Sequence, residues 1–279
     1  MQFSVLMSVY KNEKPKYFTQ ALDSVLNQTL MPDEIILMRD GPVSEEMQAV
    51  INGYLMGEYK DLFSYYPLKE NVGFGRALRI GVRKAKFDYI ARMDTDDIAV
   101  PNRFELQVGF LKEHPNISVC GGQIYEFIEN KENIVSKREV PLEHEDIIRF
   151  MKSRNAFNHM SVMFKKRDVI DAGNYIEMYL VEDYYLWCRM LACGYRFANL
   201  PEIIVYARTG EDMYQRRGGY KYYLSWKALE DFKFKNQMIN RVDYVSALSM
   251  RFAVHVLLPN RLRGAVFRSF ARKRCNSFE

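Results

Sequence analysis

Four times in the first hundred residues a short apolar run is followed by a segment with helical periodicity, and that alternation constrains the fold more than any other feature. Phe3-Ser-Val-Leu-Met-Ser-Val-Tyr10 is nearly continuous in apolar and β-branched residues, as expected of a strand buried on both faces. Pro15 then stands where a helix can begin, and Phe18, Ala21, Leu22, Val25 and Leu26 recur at helical spacing. Glu34–Arg39 repeats the strand signature, stops at Asp40-Gly41-Pro42, and leads to a helix capped by Ser44 with Glu45 and Glu46 in its first turn. A third strand near Leu62–Pro67 precedes a helix running through Lys86, and a fourth, Tyr89–Met93, runs into Asp94-Thr95-Asp96-Asp97. The economical arrangement is α/β: a mostly parallel sheet with helices on both faces, whose ligands bind beyond the carboxyl ends of the strands.

The regularity weakens after Pro101. A helix through Phe104, Val108 and Leu111 and a strand at Ile117–Cys120 continue it. Beyond them come mixed short pieces, a helix from about Glu182 to Ala192, a strand at Ile203–Arg208, and helices rich in aromatics and bases from Tyr220 onward. No Pro/Gly/Ser linker separates these parts, so any second unit packs directly on the first. We expect a first domain over residues 1–219, in two halves of about 1–121 and 122–219, and a helical basic extension over 220–279.

Charge and cysteine content exclude several classes. The formal net charge is +5, but residues 251–279 alone carry seven Lys/Arg against one Glu, so the positive excess belongs to the tail. That pattern disfavours a nucleic-acid binder and points to a local anionic contact. The four cysteines form no C-x-x-C pair, which disfavours a disulfide scaffold and a zinc ribbon and fits a reducing cytoplasm. No apolar stretch approaches the ~18 residues that span a bilayer, and Phe3–Tyr10 lacks the flank and length of a signal peptide, so the chain is expected to be soluble or peripherally attached.

Asp94, Asp96 and Asp97 place three carboxylates within four residues directly after an apolar strand. Such crowding is unfavourable unless a cation sits among them, and Mg²⁺ or Mn²⁺ with its oxygen ligands is the natural partner; the alternative is a solvated acidic turn capping the next helix. Asp40 ends the second strand, where a carboxylate can contact a base or ribose, although an Asp-Gly-Pro turn alone would explain it. Gly73-Phe-Gly75-Arg-Ala-Leu78 lacks the third glycine of a dinucleotide loop and follows the wrong strand, so a nicotinamide dehydrogenase is disfavoured. Arg76 there either reaches phosphates or belongs to ordinary helix capping. Glu182-Asp183 heads a helix, as macrodipole partners or as a catalytic base held rigidly. Arg208, Arg216 and Arg217 are placed to bind acceptor or phosphate, or are solvated.

The ordered set Val5-Leu-Met-Ser-Val-Tyr-Lys-Asn-Glu13, Ala21–Gln28, Asp33–Gly41, Asn71-Val-Gly73, Met93–Asp97 and Glu182-Asp183 resembles the family 2 glycosyltransferases of the GT-A fold, among them the bacterial enzymes of capsular, exopolysaccharide and O-antigen synthesis. The resemblance covers about residues 1–210. It implies an inverting, metal-dependent transfer from a nucleotide diphosphate sugar, UDP-sugar favoured, to an acceptor hydroxyl, commonly lipid-linked. By position it assigns Tyr10 and Glu13 to the base and ribose pocket, Asp40 to the nucleobase, Arg76, Asp94 and Thr95 to the nucleotide, and Asp96 to the metal, Mn²⁺ or Mg²⁺. It assigns Asp183 as general base with Glu182 supporting it. His159 lies where such enzymes contact acceptors and is a further candidate metal or phosphate ligand.

Processive members carry Gln-x-x-Arg-Trp and membrane helices. Tyr214-Gln-Arg-Arg-Gly218 lacks the tryptophan, so addition of one sugar is expected. Basic residues from Arg261 to Arg274 alternate with Leu262, Val266, Phe267 and Phe270, a pattern that suits the surface of an anionic membrane, with a helix packed on the core as the alternative. A sugar-nucleotide nucleotidyltransferase is the rival enzyme class, but its Gly-rich loop after the first strand is missing from Tyr10-Lys-Asn-Glu13. A non-catalytic scaffold of the same fold is the third reading.

Overall fold

The computed structural model describes residues 1–210, 218–258 and 273–274. In its first half the expected alternation appears as β1 (Phe3–Tyr10), α1 (Pro15–Leu26), β2 (Glu34–Asp40), α2 (Glu45–Met56), β3 (Phe63–Pro67), α3 (Phe74–Lys84) and β4 (Tyr89–Arg92). β1 lies at the centre of this half and pairs in parallel with β2 on one side and β4 on the other, while β3 extends the row beyond β2. Register places Tyr10 beside Asp40 and Leu6 beside Arg92, so the residues at the carboxyl edge come from adjacent strands. Ser44 caps α2 as expected, its side-chain oxygen accepting from the Met47 N–H at 3.2 Å.

The second half contains β5 (Ile98–Ala99), α4 (Arg103–Glu113), β6 (Ile117–Phe127), β7 (Ile134–Arg138), α5 (His144–Met151), β8 (Met163–Lys165), α6 (Lys166–Asp171), α7 (Glu182–Ala192) and β9 (Arg196–Arg208). After it come α8 (Tyr220–Lys235), α9 (Arg241–Phe252) and a two-residue strand, β10 (Lys273–Arg274). One sheet runs in the order β10-β7-β6-β8-β4-β1-β2-β3, with β9 pairing β6 and β5 off that path. The mostly parallel expectation holds over β1–β4. Beyond them the ladders are antiparallel except β6 with β9, so the whole sheet is mixed.

Two strands are longer than their apolar patterns indicate. β6 continues from Cys120 through Gly121-Gly122-Gln123 because β9 approaches closely there: a Cβ on Gly122 would lie 2.5 Å from the Ile204 side chain. The β6–β9 register shifts on both sides of Gln123, and that irregularity hides one long strand behind two short apolar runs. β9 likewise begins at Arg196, its pattern interrupted by exposed Pro201 and Glu202. Near the chain end β10 pairs with the edge of β7, where backbone donors and acceptors stand unpaired in any terminal strand, while most of the expected helical extension beyond residue 258 lies outside the described residues.

Alternation along β1 divides the core. Phe3, Val5, Met7 and Val9 face α1, α2 and α4, whereas Leu6 joins Ile36, Met38 and Ile90 under α3, α6 and α7. Each large apolar side chain so buried contributes roughly 1.5–3 kcal/mol. Leu229 of α8 enters the second core, so the α8–α9 hairpin docks against the α7 side of the sheet. Among the described residues no helix is long and apolar enough to cross a membrane.

Candidate active site

The carboxylate turn is stitched along the end of β1. Past the last residue of β4, the Met93 N–H donates to the Leu6 carbonyl at 3.1 Å, and the Thr95 hydroxyl donates to the Ser8 carbonyl at 3.3 Å. Asp94 pairs with the buried guanidinium of Arg92. Ligand atoms of Asp94, Asp96 and Asp97 lie within 4.8 Å of one another. Burial, with the charge of Asp94 beside it, pushes the Asp96 carboxyl up to about 6. Asp97 is held well above the carboxylate range by burial and by both neighbours. Its Oδ1 accepts from the Arg208 N–H at 2.6 Å, while its buried Oδ2 has no protein partner. An orphaned carboxylate oxygen among three crowded acids is a donor set that fits a hard divalent cation.

Arg208 reaches this turn as a brace. Its Nε donates to the Asp96 carbonyl at 3.0 Å, Nη1 to the Glu129 carbonyl at 2.5 Å and Nη2 to Gln20 Oε1 at 2.7 Å, and its guanidinium lies 3.7 Å from the Tyr17 ring centroid. All three nitrogens donate within the protein, which differs from an arginine held open for acceptor or phosphate. Arg216 and Arg217 lie outside the described residues. Because a lysine presents one point charge in place of a planar fork, Arg208→Lys is expected to lower stability by about 1–3 kcal/mol despite keeping the charge. Calorimetric unfolding checks it, and an unchanged midpoint would show that the brace does not hold the turn.

At the end of β2, Asp40 Oδ1 accepts from the Val72 N–H at 2.7 Å and Oδ2 from Asn71 Nδ2 at 3.1 Å. Gly41 makes that approach possible, since φ is +83° and a Cβ would lie 2.6 Å from Asn71 N. Burial raises the Asp40 carboxyl, opposed by the backbone N–H groups of Val72 and Gly73. Tyr10 is its neighbour across the sheet, and the turn after β1 closes with the Glu13 N–H donating to the Tyr10 carbonyl at 3.1 Å. Arg76 is exposed on the first turn of α3. Its backbone N–H donates to Glu177 Oε2 at 3.4 Å, so the Glu177 carboxylate faces the positive end of that helix. Gly73, at φ +94°, leaves room for it: a Cβ there would lie 2.8 Å from the carboxylate.

His159 stands apart from the carboxylate cluster. Its Nε2 shares a 2.8 Å hydrogen bond with the Tyr175 hydroxyl, and the ring packs edge-on to Phe74 and Trp187. Burial and the positive charge of Arg92 push its pKa well below the ordinary histidine value, so it is neutral.

Glu182 and Asp183 open α7. Asp183 Oδ2 accepts from Asn155 Nδ2 at 2.7 Å. Burial raises its carboxyl, opposed by the Tyr184 N–H, Asn155, Arg138 and Arg92. Glu182 is buried with Oε2 unpartnered, and burial with the adjacent Asp183 pushes it up to about 8. The two acids are therefore unequal: near neutrality Glu182 keeps its proton more firmly. Arg92 lowers the carboxyls of Asp96, Asp97, Glu182 and Asp183, so the turn and the acid pair lie within the electrostatic reach of one buried cation. Sequence reasoning missed Arg92, Asn155 and Glu177. Only Arg92 left a signal, as a charge inside an apolar strand.

Residues 4–172, more than half of the chain, match the family model described as "Glycosyl transferase family 2". The amylovoran biosynthesis glycosyltransferase AmsE of Erwinia amylovora is 42% identical over 79% of this chain and 81% of its own length. An Escherichia coli UDP-Gal:alpha-D-GlcNAc-diphosphoundecaprenol beta-1,3-galactosyltransferase is 32% identical over 98% of this chain and 97% of its own. In structure, S. aureus TarS 1–349 in complex with UDP-GlcNAc superposes with a TM-score of 0.65 at 18% identity, over 91% of this chain and 73% of that one. The mannosyltransferase PcManGT from Pyrobaculum calidifontis, in complex with GDP-Man and Mn²⁺, gives 0.62 at 13% identity over 98% and 76%. The fold is that of the GT-A glycosyltransferases, relatives are named for amylovoran and O-antigen biosynthesis, and this chain belongs to glycosyl transferase family 2.

Proposed function

We propose that the chain transfers one sugar, with inversion, from a UDP-sugar to a hydroxyl of a lipid-linked saccharide in surface polysaccharide synthesis. The observation that carries the reading is the turn whose three carboxylates lie within 4.8 Å of one another, with Asp183 within the electrostatic reach of the same buried Arg92. Tyr10, Glu13 and Asp40 bind base and ribose, Arg76, Asp94 and Thr95 hold the nucleotide, and Asp96 with Asp97 supplies metal ligands. When bound, Mn²⁺ or Mg²⁺ neutralises charge on the departing diphosphate. Asp183 takes the proton of the attacking acceptor hydroxyl, and Glu182, still protonated, adds no second negative charge beside it. Attack opposite the leaving diphosphate inverts the anomeric carbon. The name of the E. coli relative supports both the UDP donor and the lipid diphosphate acceptor.

In this reading residues 1–219 form the catalytic domain and 220–279 the extension. The basic tail, most of which lies outside the described residues, brings a cytoplasmic enzyme to the inner membrane face where such acceptors reside. A thermal-shift panel of sugar nucleotides with Mn²⁺ is expected to pick out a UDP-sugar, since a ligand at a hundred times its Kd adds about 2.7 kcal/mol. Incubation with that donor and a polyprenyl-diphosphate saccharide should release UDP. Release of pyrophosphate from a nucleoside triphosphate and a sugar phosphate would instead establish the nucleotidyltransferase.

A further inference from the structure

The α8–α9 hairpin lies outside the matched family segment, yet it carries an ion cluster buried against the element next to Asp183. Glu230 and Lys233 are fully buried and paired at 2.8 Å, and Glu230 also pairs with Arg251 at 3.3 Å. Arg251 in turn lies 3.2 Å from the centroid of the Trp226 ring. Buried ions are a poor source of stability, because an apolar set of the same volume often does as well or better. These cations have a defined target. Lys233 Nζ donates to the Lys152 carbonyl at 2.9 Å and Arg251 Nη2 to the Ser153 carbonyl at 3.2 Å, while the Tyr184 hydroxyl donates to the Met151 carbonyl at 2.5 Å. Three successive carbonyls at the end of α5 are thus taken by side chains, and two of the donors are positive charges at the negative pole of a helix.

Two residues further on stands Asn155. Its Oδ1 accepts from the Phe157 N–H at 3.1 Å, which fixes the amide so that Nδ2 donates to Asp183. Arg138 Nη2 holds the Asn155 carbonyl at 3.1 Å. Tyr184 closes the circuit, since it follows Asp183 on α7, bonds Met151, and meets Lys233 over its ring face at 5.4 Å.

We propose that the C-terminal hairpin is a positioning clamp for Asp183: Lys233, Arg251 and Tyr184 pin residues 151–153 so that Asn155 holds the carboxylate in place. The role of Asp183 as general base rests on the function proposed above, but the clamp itself is a statement about geometry. Besides Asn155, the charged and titratable groups facing Asp183 are Arg138 from β7, Arg92 from β4, Glu182, Tyr184 and Cys188 of its own α7, and Tyr175 from the segment before α7.

Carboxyl-carbon NMR of protein labelled at aspartate, with the Asp183 signal assigned through Asp183→Asn, tests the clamp directly. Asn155→Ala removes a donor that favours the ionised form, so the Asp183 midpoint should rise by about one pH unit. The double variant Glu230→Gln/Lys233→Met removes the buried pair together and should shift the midpoint the same way, with little further shift when added to Asn155→Ala. Binding of UDP with Mn²⁺ should be unchanged in both. A folded double variant with the wild-type midpoint, or shifts that simply add, would overturn the clamp. If the double variant does not fold, Arg251→Gln carries the same test through the Ser153 carbonyl.

Transfer from the UDP-sugar that the thermal-shift panel selects to a polyprenyl-diphosphate saccharide separates this inference from the reading it rests on. Full transfer by Asp183→Asn alongside shifted midpoints would remove the base and leave the clamp. An inactive Asp183→Asn with normal titration and turnover in Asn155→Ala would do the reverse. With both correct, Asn155→Ala lowers kcat about tenfold at constant donor KM, and its acidic limb moves to higher pH.

Discussion

Asp183→Asn is expected to lower transfer by ~10²-fold or more while leaving donor affinity nearly intact, because positioned proton transfer contributes ~10²–10⁴ and an amide cannot accept the acceptor's proton. The substitution is isosteric, and Asn155 can still donate to the new side-chain oxygen, so the fold and α7 should persist. The effect belongs in kcat, since Asp183 is assigned no contact with the nucleotide. The wild-type enzyme should lose activity toward acid at a pH above the ordinary aspartate range, because burial raises the carboxyl that must be ionised. The same variant removes the like charge that helps hold the Glu182 proton, so the midpoint of Glu182 should fall from about 8. Steady-state kinetics with titration calorimetry of UDP checks the main result. Near-normal transfer would return Asp183 to helix capping and leave the base unassigned.

The two acidic motifs were legible because each occupies a place that sequence pattern defines. Asp94–Asp97 follows an apolar strand, and Glu182-Asp183 begins a helix whose face carries Leu186, Trp187 and Met190. The groups that hold those acids were not legible. Asn155 lies 28 residues from Asp183, and Arg208 lies 112 from Asp96, so each contact depends on chain crossings that no local pattern encodes. From sequence, an arginine at a strand end such as Arg208 suits acceptor or phosphate binding or plain solvation. Its actual partners, the carbonyls of Asp96 and Glu129 and the side chain of Gln20, come from three separate elements.

The same distinction holds for the fold. Strands buried on both faces, such as β1 and β2, are continuous apolar runs and were readable, as was the Ser44 cap. β6 and β9 were half-read, because glycines that admit a neighbouring strand and a proline at a bulge look like interruptions. Glu230, Lys233 and Arg251 read as ordinary charges on amphipathic helices. The burial of Glu230 and Lys233, with Arg251 largely covered beside them, follows from docking of the hairpin on α7, a tertiary event that overrides the local preference of such residues for solvent.

Asp96→Ala is expected to abolish metal-dependent nucleotide binding, because the diphosphate would lose the cation that neutralises it beside Asp94 and Asp97. The fold should survive and become less dependent on pH. In the metal-free protein the Asp96 carboxyl is raised to about 6 from an unfolded value near 4, so between those values the folded state binds more protons than the unfolded one. Stability therefore falls as pH rises through that window and levels off above it. Mn²⁺ should restore stability above pH 6 and do little below, where protons compete for the same oxygens. In Asp96→Ala both the Asp96 part of the slope and the Mn²⁺ recovery should shrink. Titration calorimetry of UDP with and without Mn²⁺, beside melting curves from pH 4 to 8, makes the measurement. Unchanged metal-dependent affinity in a folded Asp96→Ala would remove this residue from the site and shift the metal to Asp94 and Asp97, whose orphaned Oδ2 would then be the ligand to test.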